Sequence, residues 1–179
     1  MRPTALAAFS LAGLLAFAPP AARSAAPPQQ SLTDANIVAI FDAANTADIE
    51  TGELGAKRAK DQRVRDLGHM FAEAHRTVRQ QGRDLAKKLG VTPVLPAGDR
   101  GAAQHQAAMT ALKAKSNADF DKAFLDHEIA YHQAVIDAVT TTLLPAIQNA
   151  ELKQFVTQVA PAFQGHLEQA KALRKALGN

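Results

Sequence analysis

The sequence predicts an all-α protein, a four-helix bundle in which a long crossover connects the second and third long helices. Four segments place apolar residues three, four and seven positions apart, the spacing that gives a helix one buried stripe. Between the second and third segments, the stretch VTPVLPAGDRG at 91–101 contains two prolines and two glycines, which interrupt regular structure. No segment alternates apolar and polar residues as a half-buried strand does. Two tight turns and one long middle connection are the connectivity of a bundle with a crossover.

The first thirty residues have the pattern of a leader rather than of the fold. Arg2 precedes an uncharged apolar run over residues 5–18, which is shorter than the roughly 20 residues that a membrane-spanning helix needs. Ala22 and Ser24 suit a cleavage site before Ala25. We therefore predict a signal peptide over 1–24, an extended tail over 25–32 and a bundle domain over 33–178. No later stretch is apolar enough to span a bilayer, so we expect a periplasmic or secreted protein without a transmembrane segment.

The helix boundaries follow from capping residues. Thr33 or Asp34 can cap the first long helix, which is predicted to run to about Ala59. Asp61 can cap the second, which ends where Gly90 supplies a C-terminal cap. The long connection covers about 90–117, with a short helix over about 102–115.

The third and fourth long helices follow the connection. The third is predicted to begin with a cap near Asn117 and to end near Leu144. The last opens near Asn149 and continues to about Leu177, with Pro161 removing one backbone hydrogen bond on the way.

The composition excludes several classes of protein. The chain has no cysteine, which rules out disulfides and a lipidated cysteine anchor. Its 20 basic and 17 acidic residues become 18 and 17 once Arg2 and Arg23 leave with the signal peptide. A near-neutral chain is a poor candidate for nucleic-acid binding. The partners left open are an envelope protein or a second copy of the chain.

Three of the four long helices carry one histidine within the apolar stripe, namely His75, His132 and His166. His132 lies 16 residues before the turn near Gln148 and His166 lies 18 after it, so the two should be nearly level. His75 lies 15 residues after the turn near Lys60, at a similar depth. Because each helical residue rises about 1.5 Å, three histidines at matching distances from the turns should meet inside the bundle.

The rise and rotation of a helix also place two glutamates near the three histidines. Glu128 lies four residues before His132 and therefore on the same helix face. Glu50 in the first helix lies about 7 Å from the level of the histidines, within partial reach of its side chain. His69 and His127 point away from the centre by rotation, and His105 lies in the long connection.

The candidate site is therefore Glu50, His75, Glu128, His132 and His166. Imidazole nitrogens and carboxylate oxygens without sulfur suit one divalent metal ion such as zinc, copper or iron, whose affinity should fall as pH drops through the histidine pKa of about 6.5. A second interpretation is a structural cluster, in which the histidines bond to one another, to Tyr131 or to threonines and fix the helix register. A ligand-binding or catalytic site is the third.

Four stretches resemble the bacterial family called domain of unknown function 4142, also named a predicted outer membrane protein family. They are DIETGELGAKRAK at 48–60, LGHMFAEAHRTVRQQGRDLAKKLGVTP at 67–93, FDKAFLDHEIAYHQAVIDAV at 120–139 and FVTQVAPAFQGHLEQAKAL at 155–173. The resemblance extends from about Asp34 to Leu173.

The family is assigned to the ferritin-like superfamily, so the resemblance implies a ferritin-like four-helix bundle in an exported bacterial protein. It also implies that His75, His132 and His166 match the family's recurrent histidines and that Glu50 matches its recurrent acid. One departure is Ala74, where the family usually has an Asp before the histidine of the second helix. If that Asp orients the imidazole, the site is weaker in this chain.

The family has no established activity, and the functional prediction depends on the site. We predict a non-catalytic exported protein whose buried histidines and glutamates hold one divalent metal ion, in envelope homeostasis or stress tolerance. The alternatives are a redox enzyme with iron or manganese bound by histidine and glutamate, and a helical interaction module for an envelope partner. The sequence contains no Glu-x-x-His, the motif of di-iron carboxylate bundles, so ferroxidase chemistry is not indicated.

The mature protein should begin near Ala25, because the apolar run is followed by small residues at the two positions that a signal peptidase reads. Mass spectrometry of protein recovered from the periplasm or the medium measures its N-terminal residue. An intact Met1, or recovery only with membranes after a salt wash, would contradict export as a cleaved, freely released protein.

Overall fold

A computed structural model of the protein describes residues 31–178, in which helices alternate with turns and no β-strand occurs. The predicted all-α class is confirmed. The signal peptide predicted over 1–24 lies outside the described residues, as does nearly all of the tail predicted over 25–32.

Four long helices and two short ones make up the described part of the chain. Their bounds are α1 Asp34–Arg58, α2 Gln62–Leu89, α3 Gly101–Lys113, α4 Phe120–Ala138, α5 Leu144–Ala146 and α6 Ala150–Ala176. A π-helical turn, Val139–Leu143, joins α4 to α5. The long helices α1, α2 and α6 and the short helix α3 agree with the predicted elements to within a few residues. Helix α4 ends at Ala138, before the predicted end near Leu144, because the π-helical turn begins at Val139.

The caps explain where most of these helices begin and end. Thr33 forms a capping box with Asn36, in which each side chain accepts a hydrogen bond from the other residue's backbone N–H. The side chains of Asp61 and Asn149 accept bonds from the first turns of α2 and α6. Gly90 ends α2 at φ 66°, a left-handed conformation that glycine adopts without strain.

The cap predicted near Asn117 falls two residues later, because α4 begins at Phe120 and its N-cap is Asp119, whose side chain makes no capping bond. Ser116 and Asp119 bond to each other across the preceding turn: the Ser116 hydroxyl donates to the Asp119 carboxylate at 2.6 Å, and the Asp119 N–H donates to that hydroxyl at 3.2 Å. The backbone N–H of Phe120 donates to the Ser116 carbonyl at 3.0 Å. Ser116 therefore closes the turn that leads into the helix.

The helices pack as two pairs, α1 with α2 and α4 with α6, and the pairs meet where α2 contacts α6 and α1 contacts α4. One apolar cluster combines the end of α1, the starts of α2 and α4 and the end of α6, as Ala59, Val64, Phe120 and Ala170 show. The opposite cluster combines the other ends of the same helices. Helices α2 and α4 therefore run in the same direction, and the connection between them must return along the bundle. This is the predicted crossover.

Two aspartates tie each tight turn to the start of a helix from the other pair. Asp121 accepts backbone hydrogen bonds from Lys60 and Asp61 at 2.9 and 2.7 Å, which ties the α1–α2 turn to the start of α4. Asp34 accepts bonds from the backbone of Gln148 and Asn149, each at 2.9 Å, which ties the α4–α6 turn to the start of α1. The lengthwise register between the two helix pairs is thereby fixed at both ends.

Glycines allow α1 and α2 to approach backbone to backbone. A Cβ atom on Gly68 would lie 2.6 Å from the Gly52 carbonyl oxygen and 2.6 Å from the Ala56 nitrogen, closer than real contacts allow. A Cβ on Gly52 would lie 2.7 Å from the Gly68 oxygen. Glycine at both positions therefore sets the spacing of this helix pair.

Replacing Gly68 with Ala should destabilise the bundle by roughly 1 to 3 kcal/mol, because overpacking against backbone atoms cannot be relieved by a side-chain movement. Gly165 is the matched control, since it is exposed in the middle of α6 and a Cβ atom added to it would meet no neighbouring atom within 4 Å. Gly165→Ala should raise stability by about 0.5 to 1 kcal/mol through helix propensity. Urea unfolding measures both, and equal effects of the two substitutions would contradict the close approach.

Candidate metal centre

Six buried polar side chains meet midway between the two apolar clusters of the bundle. Each long helix contributes: Asn45 and Asp48 from α1, His75 from α2, Glu128 and His132 from α4, and His166 from α6. None of these residues is more than 7% exposed. The prediction that the three stripe histidines lie at one depth is confirmed by their ring centroids, which are 5.1 to 5.6 Å apart.

The three histidines are close enough to share one ion. Each offers a ring nitrogen that lies within 4.8 Å of a nitrogen of the other two. His75 Nε2 and His166 Nδ1 are 3.2 Å apart. Two imidazole nitrogens bound at about 2.05 Å to one tetrahedral ion would be about 3.3 Å apart, so this spacing fits joint coordination as well as a hydrogen bond.

A second group of ligand atoms shares His132 with the first. Asp48, Glu128 and His132 each offer an atom within 4.8 Å of the other two. Asp48 Oδ2 also lies 3.5 Å from His75 Nε2, and Glu128 Oε2 lies 3.4 Å from His132 Nδ1. The five residues therefore form one continuous set of three imidazoles and two carboxyl groups.

Asn45 fixes the orientation of His75. Its amide nitrogen donates to the Phe41 carbonyl at 2.8 Å, which leaves its oxygen Oδ1 facing His75 Nδ1 at 2.9 Å. Because an amide oxygen only accepts, His75 carries its proton on Nδ1 and keeps the lone pair on Nε2 for the centre of the cluster. Asn45 thus orients His75 in a chain whose residue 74 is an alanine.

The backbone orients His132 in the same way. His132 Nδ1–H donates to the Glu128 carbonyl oxygen at 3.0 Å, one turn earlier in α4. The lone pair is therefore on Nε2, and this buried nitrogen has no hydrogen-bond partner among the described residues. A metal-binding histidine usually has this arrangement, with one nitrogen held by an acceptor and the other directed at the ion.

The carboxyl groups are the least satisfied part of the cluster. Neither oxygen of Asp48 and neither oxygen of Glu128 has a hydrogen-bond partner among the described residues, although both residues are only 1% exposed. Buried polar atoms in folded proteins are paired in the great majority of cases, and an unpaired buried charge is far more costly than an unpaired neutral group. The unpaired oxygens therefore indicate either a bound ligand or carboxyl groups that keep their protons.

Burial shifts the pKa values of the carboxyl and imidazole groups toward their neutral forms. Burial raises the pKa of Glu128 to about 8 and raises that of Asp48 well above its usual range, an increase that His132 opposes and Glu128 reinforces. Burial, with further contributions from His132 and His166, lowers the pKa of His75 to about 2. Burial and His132 lower that of His166 to about 4. Near neutral pH these two imidazoles are already neutral, so protons compete with a metal at the carboxyl groups and not at His75 or His166.

Aromatic rings enclose the cluster. The Phe71 ring lies 5.0 Å from His132 and 4.8 Å from His166, and the Phe163 ring lies 5.2 Å from His75. Tyr131 approaches His132 edge-on at 6.4 Å, but its hydroxyl donates to the Ala44 carbonyl and not to a histidine. The rings hold the imidazoles in place and leave few polar atoms other than the cluster's own.

Glu50 does not belong to this cluster, contrary to the sequence prediction. Its side chain is 52% exposed and pairs with His105 of α3, with 2.8 Å between Oε2 and Nε2. The acid that α1 contributes is Asp48, two residues earlier and so about 200° away around the helix. A signal for Asp48 existed in the sequence, because it lies three residues after Asn45 and four before Gly52 on the face that packs against α2.

The structure brings Glu128, His75, His132 and His166 together, leaves His69 exposed and places His105 in the connection, on α3. His127, predicted to point away from the centre, is half-buried against Tyr131. In the described part of the chain no helix is both long and apolar enough to cross a membrane.

Comparison with known proteins gives a family and two similar folds. The profile of the family described as Domain of unknown function (DUF4142) matches residues 19–173. A crystal structure of a DUF305 fragment from Deinococcus radiodurans is similar with TM-score 0.69 and 16% identity, over 79% of this chain and 95% of that one. CopM in the Cu(II)-bound form is similar with TM-score 0.62 and 15% identity, over 81% and 98%. No curated protein matches the sequence. At these identities the structural likeness concerns the fold alone.

With a chelator present, the stability of the protein should fall as pH rises from about 6.5 to 8. The folded-state pKa of Glu128 is about 8 and its ordinary value is 4.5, so between these values the folded protein holds a proton that the unfolded chain has released. Each such group lowers the free energy of unfolding by about 1.4 kcal/mol per pH unit. Urea unfolding at a series of pH values measures the slope, which Glu128→Gln should make shallower. A stability that is flat or rises over this interval would contradict the buried acids.

Proposed function

The chain belongs to the family Domain of unknown function (DUF4142), and we propose that this member is a non-catalytic metal-binding protein whose buried cluster holds one divalent transition-metal ion. His75, His132 and His166 would supply nitrogen ligands, and Asp48 and Glu128 would supply carboxylate oxygens. The ion would be zinc, copper or iron, since imidazole and carboxylate without sulfur suit all three.

The observation that carries this proposal is the set of unpaired buried atoms. Among the described residues, Asp48 Oδ1 and Oδ2, Glu128 Oε1 and Oε2, and His132 Nε2 have no hydrogen-bond partner. A purely structural cluster would be expected to satisfy its members, because a partly satisfied buried network is worse for stability than an apolar core. A divalent cation would neutralise two ionised carboxylates and accept the lone pair of His132.

The alternatives from the sequence receive less support. A redox enzyme needs an open coordination position and access for its substrate, whereas every cluster residue lies at or below 7% exposure. An interaction module does not account for unpaired carboxyl groups in the middle of the bundle. A structure of similar fold binds Cu(II), which supports copper among the ions to be tested.

We also infer that the bundle is ferritin-like and acts in the cell envelope. Two antiparallel helix pairs with parallel α2 and α4 and a long crossover support the first inference. The apolar run over 5–18 and the cleavage pattern before Ala25 support export, and a metal site in an exported protein is consistent with envelope homeostasis or stress tolerance.

Metal should raise the melting temperature of the wild-type protein, because an ion that binds only the folded state stabilises it by mass action. His132→Gln keeps much of the side chain's size and removes the imidazole common to both ligand groups, so the metal-dependent part of the stability should vanish. Thermal melts with a chelator and with Zn²⁺, Cu²⁺ or Fe²⁺ measure this, using protein without a histidine tag.

His69→Gln is the matched control, since His69 is an exposed histidine on α2 and its replacement should leave the metal shift intact. Elemental analysis of protein purified from its native compartment should find one ion per chain. If none of the three ions shifts the wild-type melt at neutral pH, or if His132→Gln lowers stability equally with and without metal, the cluster is structural and the proposal is wrong.

A further inference from the structure

Helix α3 lies across the seam between α1 and α4, which contact each other only sparsely. It packs against both helices, chiefly through the buried residues Met109 and Leu112. Met109 Sδ lies 3.9 Å from the Thr51 hydroxyl, and Thr51 is one helical turn from Asp48. The same seam joins the two helices that carry the unpaired carboxyl groups, Asp48 on α1 and Glu128 on α4. The unpaired carboxyl groups therefore lie on the side of the cluster that α3 covers.

The two ends of α3 are held unequally. At its C-terminal end, the Arg58 guanidinium donates to the carbonyls of Leu112, Lys113 and Lys115 at 2.8 to 3.2 Å. At its N-terminal end, Arg100 gives no side-chain cap, and both buried residues of the helix lie in its second half. Within the described residues, the first half bonds to the bundle through the side chain of His105, which meets Glu50. The half of α3 that contains His105 is thus the half that can lift with the fewest broken contacts.

Glu50 and His105 are themselves metal-ligand types placed at the surface. Their side chains are 52% and 16% exposed, so water and ions reach the pair. Inward along α4, His127 stacks on Tyr131 with 5.9 Å between ring centroids, and Tyr131 meets His132 edge-on. Imidazole groups therefore occur at the surface, at an intermediate depth and at the centre on this side of the bundle.

We propose that Glu50 and His105 form an outer binding site for the divalent metal ion, from which the ion passes through the α1–α4 seam to the buried cluster. This inference rests on the proposed function, since it supplies the route to that site. A carboxylate at the mouth of a low-dielectric passage raises the local concentration of a cation. Two ligands hold an ion weakly enough to release it, whereas the five residues of the cluster retain it.

An outer site of this kind changes rates and leaves the final affinity unaltered. The outer pair lies on the path in both directions, so its loss should slow uptake and release by the same factor. Replacement of a cluster ligand would instead change the dissociation constant. The two roles are therefore separable in one set of measurements.

The chain offers a built-in reporter for the experiment. It contains one tyrosine and no tryptophan, and that tyrosine, Tyr131, lies beside His132. Cu²⁺ that reaches the cluster should quench Tyr131 fluorescence, and stopped-flow mixing of untagged protein with one equivalent of Cu²⁺ follows uptake. Mixing the loaded protein with excess chelator follows release, and equilibrium titration gives the dissociation constant.

His105→Gln is the decisive variant, because glutamine can still donate to Glu50 and keep α3 docked while the imidazole ligand is lost. We expect it to slow uptake and release by about tenfold with an unchanged dissociation constant, and Glu50→Gln to act in the same direction. His69→Gln, an exposed histidine outside the seam, should leave both rates as in the wild type.

Uptake by His105→Gln at the wild-type rate or faster would overturn the outer site and leave the buried site standing. A changed dissociation constant would also overturn it, because His105 would then act on the final complex. If wild-type protein shows neither quenching nor a metal-dependent melt, the buried site is absent as well, and both proposals fail together. Failure of the outer site alone and failure of both sites therefore give different experimental results.

Discussion

The carboxyl groups of Asp48 and Glu128 impose the constraint around which the bundle is organised. Both lie in an interior closed by Phe71 and Phe163, where an ionised and unpaired carboxylate costs several kcal/mol. Burial raises the pKa of both groups, that of Glu128 to about 8, which favours the neutral acids unless a cation is present. The stability of the fold must therefore come from elsewhere, and the two apolar clusters at the ends of the bundle provide it. The centre of the bundle can therefore hold buried acids whose energetic cost would destabilise a protein with a smaller apolar core.

Precise placement of the cluster depends on contacts far from it. A slip of one residue along any helix would move a side chain by about 1.5 Å and rotate it by about 100°. Asp34 and Asp121 prevent such slips by binding the backbone of the opposite turns, and the glycine contact between α1 and α2 fixes their separation. Asn45 and the Glu128 carbonyl then set the two imidazole tautomers. Register, spacing and tautomer are thus controlled by separate groups.

Much of this arrangement follows from the sequence, and the exceptions have physical causes. The stripes and caps located the long helices, and counting from the turns placed His75, His132 and His166 at one level, because a helix has a constant rise. The sequence does not predict Asp48, because apolar periodicity alone does not indicate that an acid is buried. The sequence predicts Glu50 instead, because its distance along the helix axis follows from the constant rise, whereas its rotation toward α3 depends on how the connection folds back. The start of α4 lies two residues beyond the expected cap because Ser116 accepts the backbone N–H groups of Asp119 and Phe120.

The division of the cluster between the two helix pairs has a consequence for folding kinetics. Asp48 and His75 belong to the α1–α2 hairpin, whereas Glu128, His132 and His166 belong to the α4–α6 hairpin. Each hairpin is built from contacts that are near in sequence and should form early, with its share of the cluster still hydrated. Water leaves the acids only when the hairpins dock, so desolvation adds to the barrier of that late step. An ion bound by one hairpin would lower this barrier. The rate at which the two hairpins dock would then depend on whether the metal ion is present.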